Sequence, residues 1–295
     1  MPESWRSQYP FASHFLTRGS HHYHYLDEGD PAAPPLLMLH GNPTWSFYYR
    51  HLIPGLSKTH RVIVPDHIGC GLSDKPQDYA YTLENHIRNL EALIEHLGLQ
   101  KPGLVMHDWG GIIGMGYATR HPENISRLIV LNTGAFHMKP GAIPLCIHLC
   151  RLPVIGQLAV QGLNAFAGLA TFLAVKRTGG MDATTRAGYL APYNSWKNRI
   201  CVHRFIRDIP FSPSHISYGT LDAIDTGLER LTDYPMLIIW GDKDFVFTTK
   251  DFLAVWRQRF PRSEVMLLED AGHYVVEDAH EQMLPHMIGF LQRSP

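Results

Sequence analysis

The sequence predicts an α/β fold: a mostly parallel central sheet flanked by helices, with a helical cap inserted into it. Three observations carry this. Short apolar runs alternate with helical patterns over residues 36–131 and again over 236–291, the arrangement that puts parallel strands beneath helices on both faces. The apolar run Leu104-Val105-Met106 breaks at His107-Asp108-Trp109-Gly110-Gly111 straight into a helical pattern, the strand–turn–helix signature of a nucleophile elbow. Between residues 134 and 226 the alternation stops, and short helical patterns, prolines and aromatics fill the interval. A core domain of residues 1–133 and 227–295, with a helical cap of 134–226, is therefore expected.

Each element has its own signal. Residues 15–18 and 22–26 read as short strands joined at Gly19-Ser20, and 27–35 as a loop rich in Asp, Gly and Pro. Leu36-Leu37-Met38-Leu39 is a fully apolar strand running into His40-Gly41-Asn42-Pro43-Thr44-Trp45. Residues 61–65 are another buried strand, followed by the glycine-broken loop 66–74. Leu83, Ile87, Leu90, Leu93, Ile94 and Leu97 recur at helical spacing over 82–97, and Gly98 stands where a stop belongs. The elbow strand follows, then its helix to Arg120, then a strand over 127–131. Beyond the cap come a strand over 236–240, a helix over 249–260, a strand over 264–268 and a final helix from about Ala279 to Leu291. Ligands of such sheets bind outside the carboxyl ends of the strands. Asn42, Asp66, Asp108 and Asn132 all fall there, and the inserted helices should lie over them as a lid.

Composition narrows the function classes. At 295 residues the chain can bury a large core, as one α/β domain with an insertion or as two domains. Lys and Arg total 26 against 27 Asp and Glu, a net charge of -1. That balance supplies no electrostatic reason for a nucleic-acid or acidic-membrane partner. Cys70, Cys146, Cys150 and Cys201 are too few for a disulfide framework and point to a reducing compartment. The opening Met1-Pro2-Glu3-Ser4-Trp5-Arg6 has no apolar signal region, so a soluble, cytoplasmic protein is expected. Residues 152–175 carry no charge over 24 positions, long enough to span a bilayer. Pro153, Gln157, Gln161, Asn164 and three glycines interrupt the stretch, and no second one exists. Cap helices, buried or facing a partner, are the expected reading, with no membrane span. Full exposure would be a liability; self-association through the cap or an apolar substrate tunnel would use the stretch.

The chemistry centres on Asp108. An aspartate is already ionised at neutral pH and attacks without a base. It suits in-line displacement at an sp³ carbon carrying a leaving group, which leaves an alkyl ester on the enzyme. Asp270-Ala271-Gly272-His273-Tyr274 follows the last strand, and Trp240-Gly241-Asp242-Lys243-Asp244 ends the strand before it. Nucleophile, acid and histidine thus come in the chain order of an α/β-hydrolase. His273, held by Asp244, would activate water against the ester. The backbone N–H groups of Trp109 and Asn42 are the expected oxyanion donors, and the Trp109 indole and Asn42 amide are expected to hold the leaving group.

His40-Gly41-Asn42-Pro43-Thr44-Trp45 with His107-Asp108-Trp109-Gly110-Gly111 resembles the haloalkane dehalogenases of the α/β-hydrolase fold, over nearly the whole chain. The resemblance implies alcohol plus halide as products, with Asn42 and Trp109 on the departing halide. Some members keep a catalytic Glu after the strand preceding the cap; Asn132 stands there, so Asp244 is the implied acid, as in the third dehalogenase subfamily. Ala191-Pro192-Tyr193-Asn194-Ser195-Trp196-Lys197-Asn198-Arg199 and Arg207-Asp208-Ile209-Pro210 resemble the related β-lactone decarboxylases of olefin biosynthesis, which keep the same five site residues. There Asp108 would open a strained lactone and release carbon dioxide and a cis-alkene. Either way the partner is a small apolar substrate.

Other readings stay open at this level. Epoxide hydrolases share the Asp-Trp-Gly-Gly elbow and polarise the epoxide with two cap tyrosines, for which Tyr189 and Tyr193 are present, although those enzymes usually carry Phe at the position of Asn42. Fluoroacetate dehalogenases place arginines after the nucleophile, where this chain has Trp109-Gly110-Gly111. A non-catalytic, ligand-binding homologue is opposed by the intact triad. Cys146-Ile147-His148-Leu149-Cys150 offers no fourth metal ligand and reads as structural. His21, His22 and His24 read as a surface strand, and Gly69-Cys70-Gly71 lacks the dinucleotide fingerprint. No cofactor and no metal are implied.

Overall fold

The computed structural model describes residues 4–139, 141–177 and 180–293. Its centre is an eight-stranded sheet: β1 (His14–Arg18), β2 (His21–Glu28), β3 (Pro35–Leu39), β4 (Arg61–Pro65), β5 (Gly103–His107), β6 (Leu128–Leu131), β7 (Met236–Gly241) and β8 (Glu264–Leu268), in the order β1-β2-β4-β3-β5-β6-β7-β8. Pairing is antiparallel between β1 and β2 and between β2 and β4, and parallel across the rest of the sheet.

Successive side chains of a strand point to opposite faces, and both faces here are covered. Leu37, Leu39, Leu104, Met106, Leu128, Val130 and Ile238 belong to one buried cluster; Leu36, Met38, Val105, Ile129, Leu131, Leu237 and Ile239 belong to the other. That is why these strands read as continuous apolar runs. Helix α1 (Leu83–His96) starts at Thr82, whose side chain accepts from the Asn85 N–H, and it buries Leu83, Ile87, Leu90, Leu93 and Ile94. Helix α2 (Trp109–Arg120) leaves the elbow and lies close on the sheet. A Cβ at Gly110 would sit 2.1 Å from the Leu39 carbonyl oxygen, and one at Gly111 1.9 Å from Thr133 Oγ1.

Between β6 and β7 the chain forms helices α3 (Leu145–Arg151), α4 (Ala165–Leu173), α5 (Ala183–Leu190), α6 (Ile200–Arg207) and α7 (Tyr218–Gly227). This block is tied down by polar contacts. The Trp45 indole donates to the Gly188 carbonyl at 3.1 Å, Tyr193 Oη donates to the Thr44 carbonyl at 3.1 Å, and Asn42 Nδ2 donates to the Val202 carbonyl at 3.1 Å. The free thiols of Cys70 and Cys201 meet at 3.4 Å, again joining cap to core. No single described helix is long and apolar enough to cross a membrane.

Three expectations change. The final helix, α8 (Val275–Gln292), begins a turn earlier than Ala279, which itself breaks the helix with φ -144°. The break turns the Asp278 carboxylate inward, onto the Gly272 N–H at 2.6 Å, the Lys176 N–H at 3.0 Å and the Arg177 N–H at 2.8 Å. His24 is buried, not on a surface strand: β2 lies between β1 and β4, and the His24 ring sits 2.8 Å from Asp66. The uncharged cap stretch is only half covered. Ala167 and Thr171 of α4 are buried, while Leu163 is 81% and Phe172 56% exposed.

Candidate active site

Asp108 occupies the turn between β5 and α2 with φ 50° and ψ -124°, a conformation that costs a non-glycine residue about 1–3 kcal/mol and needs support. The support is local. Its carbonyl accepts from Thr133 Oγ1 at 2.5 Å and from the Gly111 N–H at 2.9 Å, and its own N–H donates to the Asn132 carbonyl at 3.3 Å. Glycines make room: a Cβ at Gly41 would fall 2.1 Å from Asp108 Oδ1. The strained turn aims the carboxylate away from the sheet into a cavity below the cap.

Two backbone donors meet that carboxylate. The Asn42 N–H lies 2.6 Å from Oδ1, and the Trp109 N–H also donates to it. The two N–H groups expected as oxyanion donors thus hold the Asp108 carboxylate itself. Burial raises the Asp108 pKa, and His273 and the two N–H groups pull against that rise without cancelling it.

His273 Nε2 stands 3.7 Å from Asp108 Oδ2, and its Nδ1 bonds Asp244 Oδ2 at 2.8 Å. The Asp244 carboxylate is buried and fully engaged: the Val246 and Phe247 N–H groups reach Oδ1 at 2.7 and 3.1 Å, and Asn132 Nδ2 reaches Oδ2 at 2.9 Å. Burial presses the His273 pKa down, but Asp244 first and Asp108 second outweigh it, and the pKa stands above the ordinary histidine value. Asp108, His273 and Asp244 thus form one line of contacts.

Asn132 and Asp278 supply structure that their positions in the chain did not announce. Asn132 takes the Gly241 N–H on its Oδ1 at 2.8 Å and donates from Nδ2 to the Gly241 carbonyl at 3.1 Å as well as to Asp244. It clamps the end of β7 and orients the acid. Asp278 pins the Gly272 N–H beside His273, and a carboxylate opening a helix was its one visible signal. His107 lies beneath the triad, Nε2 2.9 Å from the His273 carbonyl; burial lowers its pKa and keeps it neutral.

The cavity is apolar. Asn42, Asp108, Trp109 and His273 supply polar groups among walls of Ile, Phe, Leu, Val and Ala. The Trp109 ring packs on Phe205 with centroids 4.8 Å apart, and its indole N–H has no protein acceptor among the described residues. Asn42 Nδ2 is partly occupied by Val202, and its Oδ1 is buried without a partner. The arrangement can supply a carboxylate for nucleophilic attack, an imidazole of raised pKa behind it, and N–H donors toward a departing anion.

Several candidates fall outside this site. Tyr189 Oη donates to Glu277 and Tyr193 Oη to the Thr44 carbonyl, and neither lines the cavity, so the tyrosine pair of an epoxide hydrolase is absent from it. Asp66 faces His24 and the N–H groups of Ser46 and Leu72 and shapes a loop. His148 stacks on Phe211, turned away from Cys146 and Cys150, and no cluster of three metal-ligating side chains occurs among the described residues.

Comparison with known proteins agrees with this fold. The family model for the alpha/beta hydrolase fold matches residues 34–279. The chain is 48% identical to a cis-3-alkyl-4-alkyloxetan-2-one decarboxylase of Shewanella oneidensis, over 97% of this chain and 90% of that one. It is 44% identical to the decarboxylase of that name in Xanthomonas campestris, covering 92% of each. The crystal structure of haloalkane dehalogenase DbeA from Bradyrhizobium elkani superposes with a TM-score of 0.84 at 26% identity, over 96% of this chain and 100% of that one. With its elbow aspartate, late acid and histidine, and inserted cap, the chain belongs to the α/β-hydrolase family, in the group that holds the haloalkane dehalogenases and the β-lactone decarboxylases.

Proposed function

We propose that the chain decarboxylates cis-3,4-dialkyl oxetan-2-ones, four-membered β-lactones, to cis-alkenes and carbon dioxide. The observation that carries this is the gap in similarity: 48% and 44% to two enzymes named for that reaction, against 28–30% to haloalkane dehalogenases compared in the same way. Asp108 attacks C4 of the ring, the sp³ carbon bearing the ring oxygen. The C4–O bond breaks, and its electron pair leaves on the carboxylate carried by C3. The product is an enzyme ester with a carboxylate one carbon away.

Inversion at C4 sets the new ester bond anti to the C3–carboxylate bond without any rotation. Loss of carbon dioxide then drives the C3–carbon pair into a C3–C4 double bond and expels Asp108 as carboxylate. Both alkyl groups remain on one side, so the alkene is cis. No water is consumed. The Asn42 and Trp109 side chains face the departing ring carboxylate, while the backbone N–H groups and a protonated His273 stabilise the charge that returns to Asp108.

Haloalkane hydrolysis is the second reading, supported by 29–30% identity to haloalkane dehalogenases over at least 95% of this chain. There the first displacement releases halide, and the ester has no internal exit, so His273 must deprotonate water. Purified protein given a cis-β-lactone and a 1-bromoalkane of matched length decides the matter. Alkene should form from the lactone with the larger kcat/KM. Halide release without any alkene would overturn the proposal.

A further inference from the structure

The space around Asp108 is forked. One limb, about 80 Å³, runs beside Trp109 between Phe136, Met138, Ile143, Ile206, Ile209 and Leu221. The other, about 150 Å³, runs beside His273 and Tyr274 between Cys150, Ala165, Leu169, Ala170, Leu173 and Ala174. Asn42, Asp108, Ile147, Phe166 and Val246 border both limbs, so the fork lies at the nucleophile. We infer that the two limbs hold the two alkyl arms of one substrate, the C3 arm beside Trp109 and the C4 arm beside His273.

The inference rests on the β-lactone reading and deepens it. A four-membered lactone with cis alkyl groups sends two apolar chains from adjacent carbons, and a site for it needs two apolar limbs meeting at one carboxylate. A 1-haloalkane needs one. Trp109 borders only the first limb and His273 only the second. The leaving carboxylate is bonded to C3 and departs toward Trp109, which carries the C3 arm to that side. C4 becomes bonded to Asp108 on the side that His273 faces, which carries its arm the other way.

The test uses two regioisomeric cis-lactones, one with a long C3 arm and a methyl at C4, the other reversed. Ala170→Phe narrows the second limb and Ile209→Phe the first. Ala170→Phe should lower kcat/KM for the long-C4 isomer about tenfold or more, a change on the scale of pocket-shape discrimination, and leave the long-C3 isomer within about twofold of wild type. Ile209→Phe should do the reverse. Leu173→Trp and Ile143→Phe stand in for any variant whose melting temperature shows that it has not folded. Equal losses on both isomers, or none on either, would overturn the assignment. Failure of wild type to make alkene from either isomer would instead refute the β-lactone reading. The limbs are then judged by thermal-shift titration with cis-alkenes bearing the same arms: limb-selective loss of binding upholds the fork, and uniform loss removes it.

Discussion

The His273→Ala variant should stop 1-bromoalkane turnover after one halide per enzyme, yet only slow alkene release from a β-lactone. In the native site Nε2 lies 3.7 Å from Asp108 Oδ2. Opposite unit charges at that distance attract by about 4.5 kcal/mol at an effective dielectric constant of about 20. Only the charge that returns to Asp108 as the ester breaks benefits, and a single oxyanion donor is worth about 2.7–4 kcal/mol. Alkene formation should fall about 10²- to 10³-fold. The fold should survive, because Asp244 keeps the N–H groups of Val246 and Phe247 and the amide of Asn132. Ester hydrolysis has no such reserve, since its base is gone. Rapid-quench sampling with chromatography of alkene and halide, beside intact-protein mass spectrometry, reads all of this. The haloalkane should leave an alkyl adduct on Asp108; the lactone should not. Repeated halide release by the variant, or alkene formation unchanged within about twofold, would refute the roles assigned to His273.

The same histidine sets opposite pH dependences for the two reactions. Its pKa stands above the usual value, so hydrolysis of an alkyl ester, which needs the neutral ring, should rise with pH through that raised pKa. Alkene formation, which uses the protonated ring, should fall over the same interval. Both should fall on acidification as Asp108 takes a proton, at a pH above the ordinary carboxylate range because burial raises its pKa; kcat/KM profiles check both signs. Gly41→Ala places a methyl group 2.1 Å from Asp108 Oδ1. A displaced nucleophile should cost about 10² in rate, seen as lost alkene formation with circular dichroism unchanged. Tyr189→Phe and Tyr193→Phe lose bonds to Glu277 and Thr44 outside the cavity. Each should lower stability by about 1 kcal/mol in urea unfolding and leave turnover within about twofold of wild type; a large loss of turnover would return them to the site.

Local physics explains what the sequence made legible. β3, β5, β6 and β7 are buried on both faces, and a strand of that kind can only be an unbroken apolar run. The elbow needs an abrupt strand end, a polar apex and small residues after it, and Gly110 and Gly111 are small because Leu39 and Thr133 leave no space. The contact between Asp108, His273 and Asp244 was readable because each residue follows its own strand. Burial of single polar residues was not readable. His24 is drawn inside by a neighbouring strand and by Asp66, which lies 42 positions away in the chain, and no local pattern reports that pairing. Asn132 and Asp278 likewise act through contacts with Asp244 and Gly272 that exist only once the loops have met. The start of α8 was misplaced for the same reason, because Asp278 serves the loop before it rather than a regular first turn.

What leaves Asp108's target carbon was the least legible feature, and the site's chemistry explains why. A halide and a ring carboxylate are both anions departing opposite an attacking oxygen, and the same N–H donors serve either. The two reactions part only after the first displacement. An alkyl halide leaves an ester that water alone can resolve. A β-lactone leaves an ester with a carboxylate on the adjacent carbon, already anti to the ester oxygen, and its fragmentation is unimolecular and needs no second reactant. Water must compete with it inside walls that are mostly apolar. On the proposed reading the donors and the triad make a displacement occur, and the substrate admitted by the cavity determines how the ester is resolved. Selection between the two chemistries then falls to the apolar limbs, whose residues are scattered over α3, α4, α6, α7 and the loops after β6 and β7 and form no motif in the chain.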